Sequence, residues 1–250
     1  MYEFPSNPNF TFFESSKLPY TSYEKDVVSV LESVKLLFSK YFDNVDANAL
    51  AVINVYPSDD YPMVVYERNI IYLSVPAVNE SGDPNCDWAR FIYQFSHEFC
   101  HYMSFGHVPK RMRWFEESIC EMASHFFLIE SEKSWRSSPP YPNWSSYASS
   151  IAEYESKTCN GQQVINLSDL SNFRSPLLES LQNNEYQRQI NRYIALQMLP
   201  IFQNSPSLWK IVPHLVDLSN NKSFSDNLKE LEKLSGQDIS SIFSLFSVQR

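Results

Sequence analysis

Residues 87–130 read DWARFIYQFSHEFCHYMSFGHVPKRMRWFEESICEMASHFFLIE, and this stretch decides the fold. Trp88, Phe91, Ile92, Phe95, Phe99 and Tyr102 recur at helical spacing, which predicts a buried helix. Gly106 supplies a stop signal shortly after it. Within the helix, His97 and His101 are four apart, so both imidazoles project from one face, one turn above the other. That spacing lets two neutral ring nitrogens reach one tetrahedral zinc, at roughly 2.0–2.1 Å each. Glu98 stands beside the first histidine, where its carboxylate can reach a metal-bound water and take its proton.

A third ligand is needed, and the sequence offers two. A second helix beginning near Trp114 would carry Glu117 and Glu121 on one face, again at i and i+4. Glu117 then completes the zinc site, while Glu121 accepts a hydrogen bond from the far nitrogen of a ligand histidine and fixes its tautomer. His107 is the other answer, at the ligand spacing of the metzincins. Those enzymes place Gly where this chain has Ser104, because the backbone must turn sharply there. Glu117 is the preferred ligand.

The pair of segments His97-Glu98-Phe99-Cys100-His101 and Trp114-Phe115-Glu116-Glu117-Ser118-Ile119-Cys120-Glu121 resembles the active-site helices of the gluzincins, the group that includes thermolysin and the aminopeptidases. In the aminopeptidase pattern W-L-x-E-G-x-A the Glu is the third zinc ligand and falls on Glu117; in the N-E-x-x-S-D pattern the final Asp falls on Glu121. Ser118 stands in place of the aminopeptidase Gly, Glu116 in place of Asn, and the segment from His101 to Glu117 is shorter than in either group. No G-x-M-x-N exopeptidase signature is present. The resemblance covers roughly residues 88 to 127. It implies an α+β zincin-like fold, with a small mixed sheet and the active-site helix in an upper lobe and a mainly helical lower lobe. It further implies that the edge strand before the metal helix, here Ile70–Val75, pairs with substrate backbone. A Tyr or His from the lower lobe would stabilise the oxyanion: Tyr193 is the candidate, with Tyr186, Tyr154 and His214 as rivals.

The rest of the chain is consistent with one compact catalytic unit of two lobes, divided as 1–132 and 133–250. A length of 250 residues can bury a substantial core. Residues 1–22, rich in Pro, Asn, Ser and aromatics, predict an extended arm that could cover the cleft. Val27, Val28, Val30, Leu31, Val34, Leu37 and Phe38 form the apolar stripe of an amphipathic helix over 23–42. Three β-rich runs follow, 50–56, 63–66 and 70–75, with a hairpin expected over Met63–Val75 and turns at Pro57–Asp60 and Glu67–Asn69. A turn-rich connection, 79–85, leads into the metal helix. After a second helix ending near Glu132, residues 134–149 predict a loop. Helices return from Asn184, with stops expected at Pro200, near Asn204-Ser205-Pro206, and at Ser235-Gly236.

A net charge of −9 argues against nucleic-acid or anionic-membrane partners, both of which attract basic surfaces. No stretch approaches the twenty or so apolar residues of a membrane span. The N-terminal residues lack a basic segment and an apolar core, so no signal peptide is expected. Four cysteines without a C-x-x-C pair fit a reduced, cytoplasmic setting, with Cys100 and Cys120 packed as small hydrophobes. Export by a signal-less route would leave this sequence unchanged. The expected activity is zinc-dependent hydrolysis of peptide bonds in a peptide or protein substrate, as an endopeptidase. The alternative is a catalytically inactive zincin-fold protein that serves in binding; Glu98 favours the enzyme, since a purely structural site has no use for that carboxylate.

Overall fold

A computed structural model describes residues 10–14, 23–45, 50–55, 62–76 and 86–249. The chain is mostly helical with one small mixed sheet, hence α+β; the described residues form eight α-helices and four strands. Its contacts divide it into two compact units, one drawn from 1–40, 44–99 and 127–157, the other from 41–43, 100–126 and 158–250. Each unit therefore takes pieces from both sides of residue 132. The turn expected at Pro57–Asp60, the connection 79–85 and most of the arm 1–22 lie outside the described residues.

The first unit contains β1 (Phe10–Glu14), α1 (Tyr23–Phe38), β2 (Leu50–Asn54), β3 (Met63–Val65) and β4 (Ile70–Leu73), with sheet order β1-β2-β4-β3. Part of the expected N-terminal arm is thus a strand: Phe10 pairs in parallel with Leu50, and Glu14 with Asn54. Parallel neighbours need a crossover, and α1 supplies it. The helix buries Val27, Val30, Leu31, Val34, Leu37 and Phe38 of the expected stripe and leaves Val28 half-buried. Glu24 and Asp26 in its first turn and Lys35 in its last complement the helix dipole. The expected hairpin forms between β3 and β4 in antiparallel register, Val64 opposite Ile71. Tyr66–Arg68 make a 3₁₀ turn that ends on Asn69 at φ 51°, a left-handed position that Asn tolerates.

One expectation is corrected here. Ile70–Val75 is not an edge strand: β4 pairs with β2 on one side and with β3 on the other, so its backbone groups are already used. Beyond Leu73, side chains take over the pairing. Buried Asn54 accepts from Val75 N–H at 2.9 Å and donates to the Val75 carbonyl at 2.8 Å. Gln94 does the same for Ser74, at 2.9 and 3.0 Å, and Arg90 adds a bond to the Ser74 carbonyl at 3.2 Å. Gln94 and Arg90 lie on α2 (Trp88–Tyr102), so this helix is fastened to the end of the sheet.

Aromatic packing sets the roll of α2. Phe99 stacks on Phe95 at 5.0 Å and meets Phe38 edge-on at 4.9 Å, while Phe38 stacks on Phe127 of α3 (Arg113–Trp135) at 3.7 Å. At the helix start, Trp88 stacks on Trp144, and Asp87 accepts the Arg90 N–H at 3.3 Å. With Phe91, Phe95 and Phe99 buried, His97 and His101 are left half-buried on the adjoining face.

The second unit adds α5 (Pro176–Asn183), α6 (Arg188–Asn204), α7 (Phe224–Ser235) and α8 (Ser240–Leu245); α4 (Ala148–Thr158) falls almost wholly in the first. Trp114 and Phe115 of α3 meet Phe224 at 4.9 and 5.3 Å, and Phe224 meets Phe246 at 5.1 Å. A second aromatic group joins Phe126, Phe202 and Phe42 to Trp209. Several boundaries differ from expectation. The second helix runs to Trp135; the stretch taken for loop holds a 3₁₀ segment, Pro142–Tyr147; α6 passes through Pro200; and Pro206–Asp217 is 3₁₀. Gly236 closes α7 at φ 65°, as expected. No described helix is long and apolar enough to cross a membrane.

Candidate metal centre

His97 and His101 lie on α2, and Glu117 lies in the second turn of α3. One potential ligand atom from each lies within 4.8 Å of the other two. Nε2 of His101 stands 3.3 Å from Oε1 of Glu117. Two donors at about 2.0–2.1 Å from a tetrahedral ion are separated by ~3.3–3.4 Å, so this pair already has the spacing of two vertices around zinc. The donor set, two imidazoles and a carboxylate, suits a divalent ion of that kind and leaves a fourth position open. His107 is exposed and outside the group, so the three that converge are His97, His101 and Glu117.

The backbone between α2 and α3 explains the convergence. After Tyr102 the chain turns through Phe105, at φ 61°, rather than through Gly106. Ser104 closes the helix end: its hydroxyl donates to the His101 carbonyl at 2.7 Å and lies 3.4 Å from Oε1 of Glu116. A 3₁₀ turn over Lys110–Met112 then starts α3. Ser118, where the resembled pattern has Gly, donates back to the Trp114 carbonyl at 2.8 Å, so its hydroxyl is satisfied inside its own helix.

Glu116 is the carboxylate that orients His101. Nδ1–H of His101 donates to Oε1 of Glu116 at 3.0 Å, which leaves Nε2 to face Glu117. Nε of Arg192 donates to Oε1 of Glu121 at 2.8 Å, and Nε2 of His125 is 3.7 Å from the same oxygen. Burial pulls the His101 ring down from its ordinary value, but the charges of Glu116 and Glu117, and the hydrogen bonds the ring donates to both, more than offset it. The net shift is well upward. A metal-free His101 therefore holds a proton between two carboxylates, in the place a cation would take.

Glu98 is buried, with 6% of its surface exposed, next to His97. Cys100 and Cys120 are both buried free thiols. Burial pushes Cys120 well up, and the hydrogen bond with Cys100 and the charges of Glu116 and Glu117 add to the shift. Neither thiol belongs to the converging group, whose ligand atoms are nitrogen and oxygen.

Among the oxyanion candidates, Tyr193 is half-buried on α6 and makes no hydrogen bond or ring contact among the described residues. Tyr154 packs edge-on against Tyr93 at 5.9 Å, and His214 lies 3.4 Å from Asp217. Tyr186 differs. Partial burial raises its phenol, the charges of Glu117 and Glu185 raise it further, and His101 and Arg113 pull the other way. Those partners locate Tyr186 in the field of Glu117 and His101. Its segment is pinned by Arg113, 3.5 Å from Glu185, and by Asn191, which donates to the Glu185 carbonyl at 2.8 Å. The Tyr186 residue itself is 72% exposed.

No family model, curated protein or solved structure matches the chain. The centre stands on the geometry of its own side chains.

Proposed function

We propose that the chain is a zinc-dependent peptide hydrolase of zincin-like fold, an endopeptidase acting on an extended peptide or protein segment. The observation that carries this reading is the convergence of His97, His101 and Glu117 on one point, with Glu98 buried one residue from the first histidine. A bound zinc would supply Lewis acidity, lowering the pKa of water towards about 7 and polarising the scissile carbonyl. The chain's own groups do the rest. Glu98 takes the proton of the attacking water and passes it to the leaving nitrogen. Glu116 holds His101 in the tautomer that presents Nε2. Tyr186, whose raised phenol stays protonated at neutral pH, donates to the oxyanion as it develops. An incoming peptide that adds to the sheet on the hairpin side would pair with β3, since β4 is enclosed.

The internal position of β4 favours a second reading, a metal-holding protein of similar fold whose role is binding rather than turnover. Glu98→Gln separates the two. In the hydrolase, this variant keeps its zinc and loses cleavage of a mixed peptide library by more than ~10²-fold, the scale of lost general base catalysis. Full cleavage by the variant would remove Glu98 from the mechanism; chelator-insensitive silence of the wild type would leave the binding reading.

A further inference from the structure

A second cluster on the same long helix is built like a metal site and contains sulfur. His125 lies two turns beyond Glu117 on α3 and is fully buried. Its Nδ1 is 3.7 Å from Sγ of Cys159, the residue that follows α4. Glu155, one turn earlier on α4, completes the group: a ligand atom from each of His125, Glu155 and Cys159 lies within 4.8 Å of the other two. Sulfur at about 2.3 Å and nitrogen at about 2.0–2.1 Å from a tetrahedral zinc stand ~3.5–3.6 Å apart, close to the separation already present.

We infer that His125, Glu155 and Cys159 form a second zinc site, separate from the His97–His101–Glu117 centre. The donor types fit. A thiolate, a neutral imidazole and a carboxylate together bring two negative charges to a divalent cation, and the thiolate selects zinc over magnesium or calcium. The supporting shell fits as well. Nε2 of His125 faces Oε1 of Glu121, and that oxygen is held by Nε of Arg192 at 2.8 Å. Arg192 in turn donates to the Asn160 carbonyl at 3.1 Å, next to Cys159. A carboxylate behind the ring leaves Nδ1 as the metal-facing nitrogen. Glu117, Glu121 and His125 follow one another at i, i+4 and i+8, so a single face of α3 serves both ions. The site owes nothing to the hydrolase reading and would stand if that reading fell.

The test is a Co2+ titration of the zinc-stripped full chain, followed by absorbance and by equilibrium dialysis. Two equivalents should bind, with a thiolate-to-cobalt charge-transfer band that the nitrogen–oxygen centre cannot produce. Cys159→Ser should lose the band and one equivalent; His97→Ala should lose one equivalent and keep the band. Glu155→Gln, which preserves shape should the serine variant misfold, should weaken the band-carrying equivalent more than ~10-fold. Zinc should also slow alkylation of Cys159 by iodoacetamide while exposed Cys86 reacts unchanged. One equivalent carrying the band supports this site and sinks the first. Binding with no band, or a band that survives Cys159→Ser, overturns the second site.

Discussion

The proton on His101 and a metal ion compete for the same position, and the competition has a sign. In the metal-free fold the ring's pKa lies well above its ordinary 6.5, because Glu116 and Glu117 outweigh the cost of burying it. A folded value above the unfolded one gives stability that is fully present below about pH 6.5 and is lost as pH rises through the folded value. The chelated protein should therefore become less heat-stable on going alkaline from pH 6.5, while zinc-loaded protein should not, because the ion replaces the proton. Melting curves across that range with and without chelator measure it; parallel curves would place His101 outside the metal shell. The phenol of Tyr186 gives a second residue-scale prediction. Tyr186→Phe removes the donor alone and should lower kcat by about 10²–10³-fold with zinc content and KM little changed. Tyr193→Phe should be near wild type. A reversal between the two variants would return the oxyanion role to Tyr193.

At the scale of elements, α2 is tied to the end of the sheet through Ser74, and the neighbouring Val75 is held by Asn54. Its side chain, fully buried, satisfies both backbone groups of Val75. Asn54→Ala would leave a buried N–H and C=O unpaired at about 1–3 kcal/mol each, so a loss of roughly 2–6 kcal/mol is expected in urea unfolding. A change under about 1 kcal/mol would mean that water or a shifted backbone replaces the clamp. This clamp also marks where sequence reading stops. The two long helices and the hairpin were legible, because Phe91, Phe95 and Phe99 or Val64 and Ile71 carry clear local periods. That β4 lies between two strands was not, since its parallel pairing with Leu50–Asn54 joins separate runs of the chain and leaves no local mark. Pro200 predicts a stop, yet α6 continues because Met198, Leu199 and Phe202 are buried around it and hold the turn. The His125–Cys159 pair joins distant parts of the chain, and only the i+4 spacing of Glu121 and His125 hinted at it.

For the molecule as a whole, the question is how far folding depends on the metal. Small zinc domains collapse without their ion because they have little else to hold them. This chain has 250 residues and two aromatic cores, around Phe38 in one unit and around Trp114 and Trp209 in the other. Such a chain buries enough apolar surface to fold with its ligands bare. Zinc should then act as a ligand of the native state rather than as its scaffold. At a free concentration of 100 times Kd, a single site adds about 2.7 kcal/mol, which for a chain of this length raises Tm by roughly 5–11 °C. Calorimetry of stripped protein should show one cooperative transition that climbs with the logarithm of zinc concentration. The increment should shrink in His101→Ala and, if both sites fill, also in Cys159→Ser. A stripped protein with no transition would make the ion part of the fold after all, and a Tm indifferent to zinc would leave neither cluster a metal site.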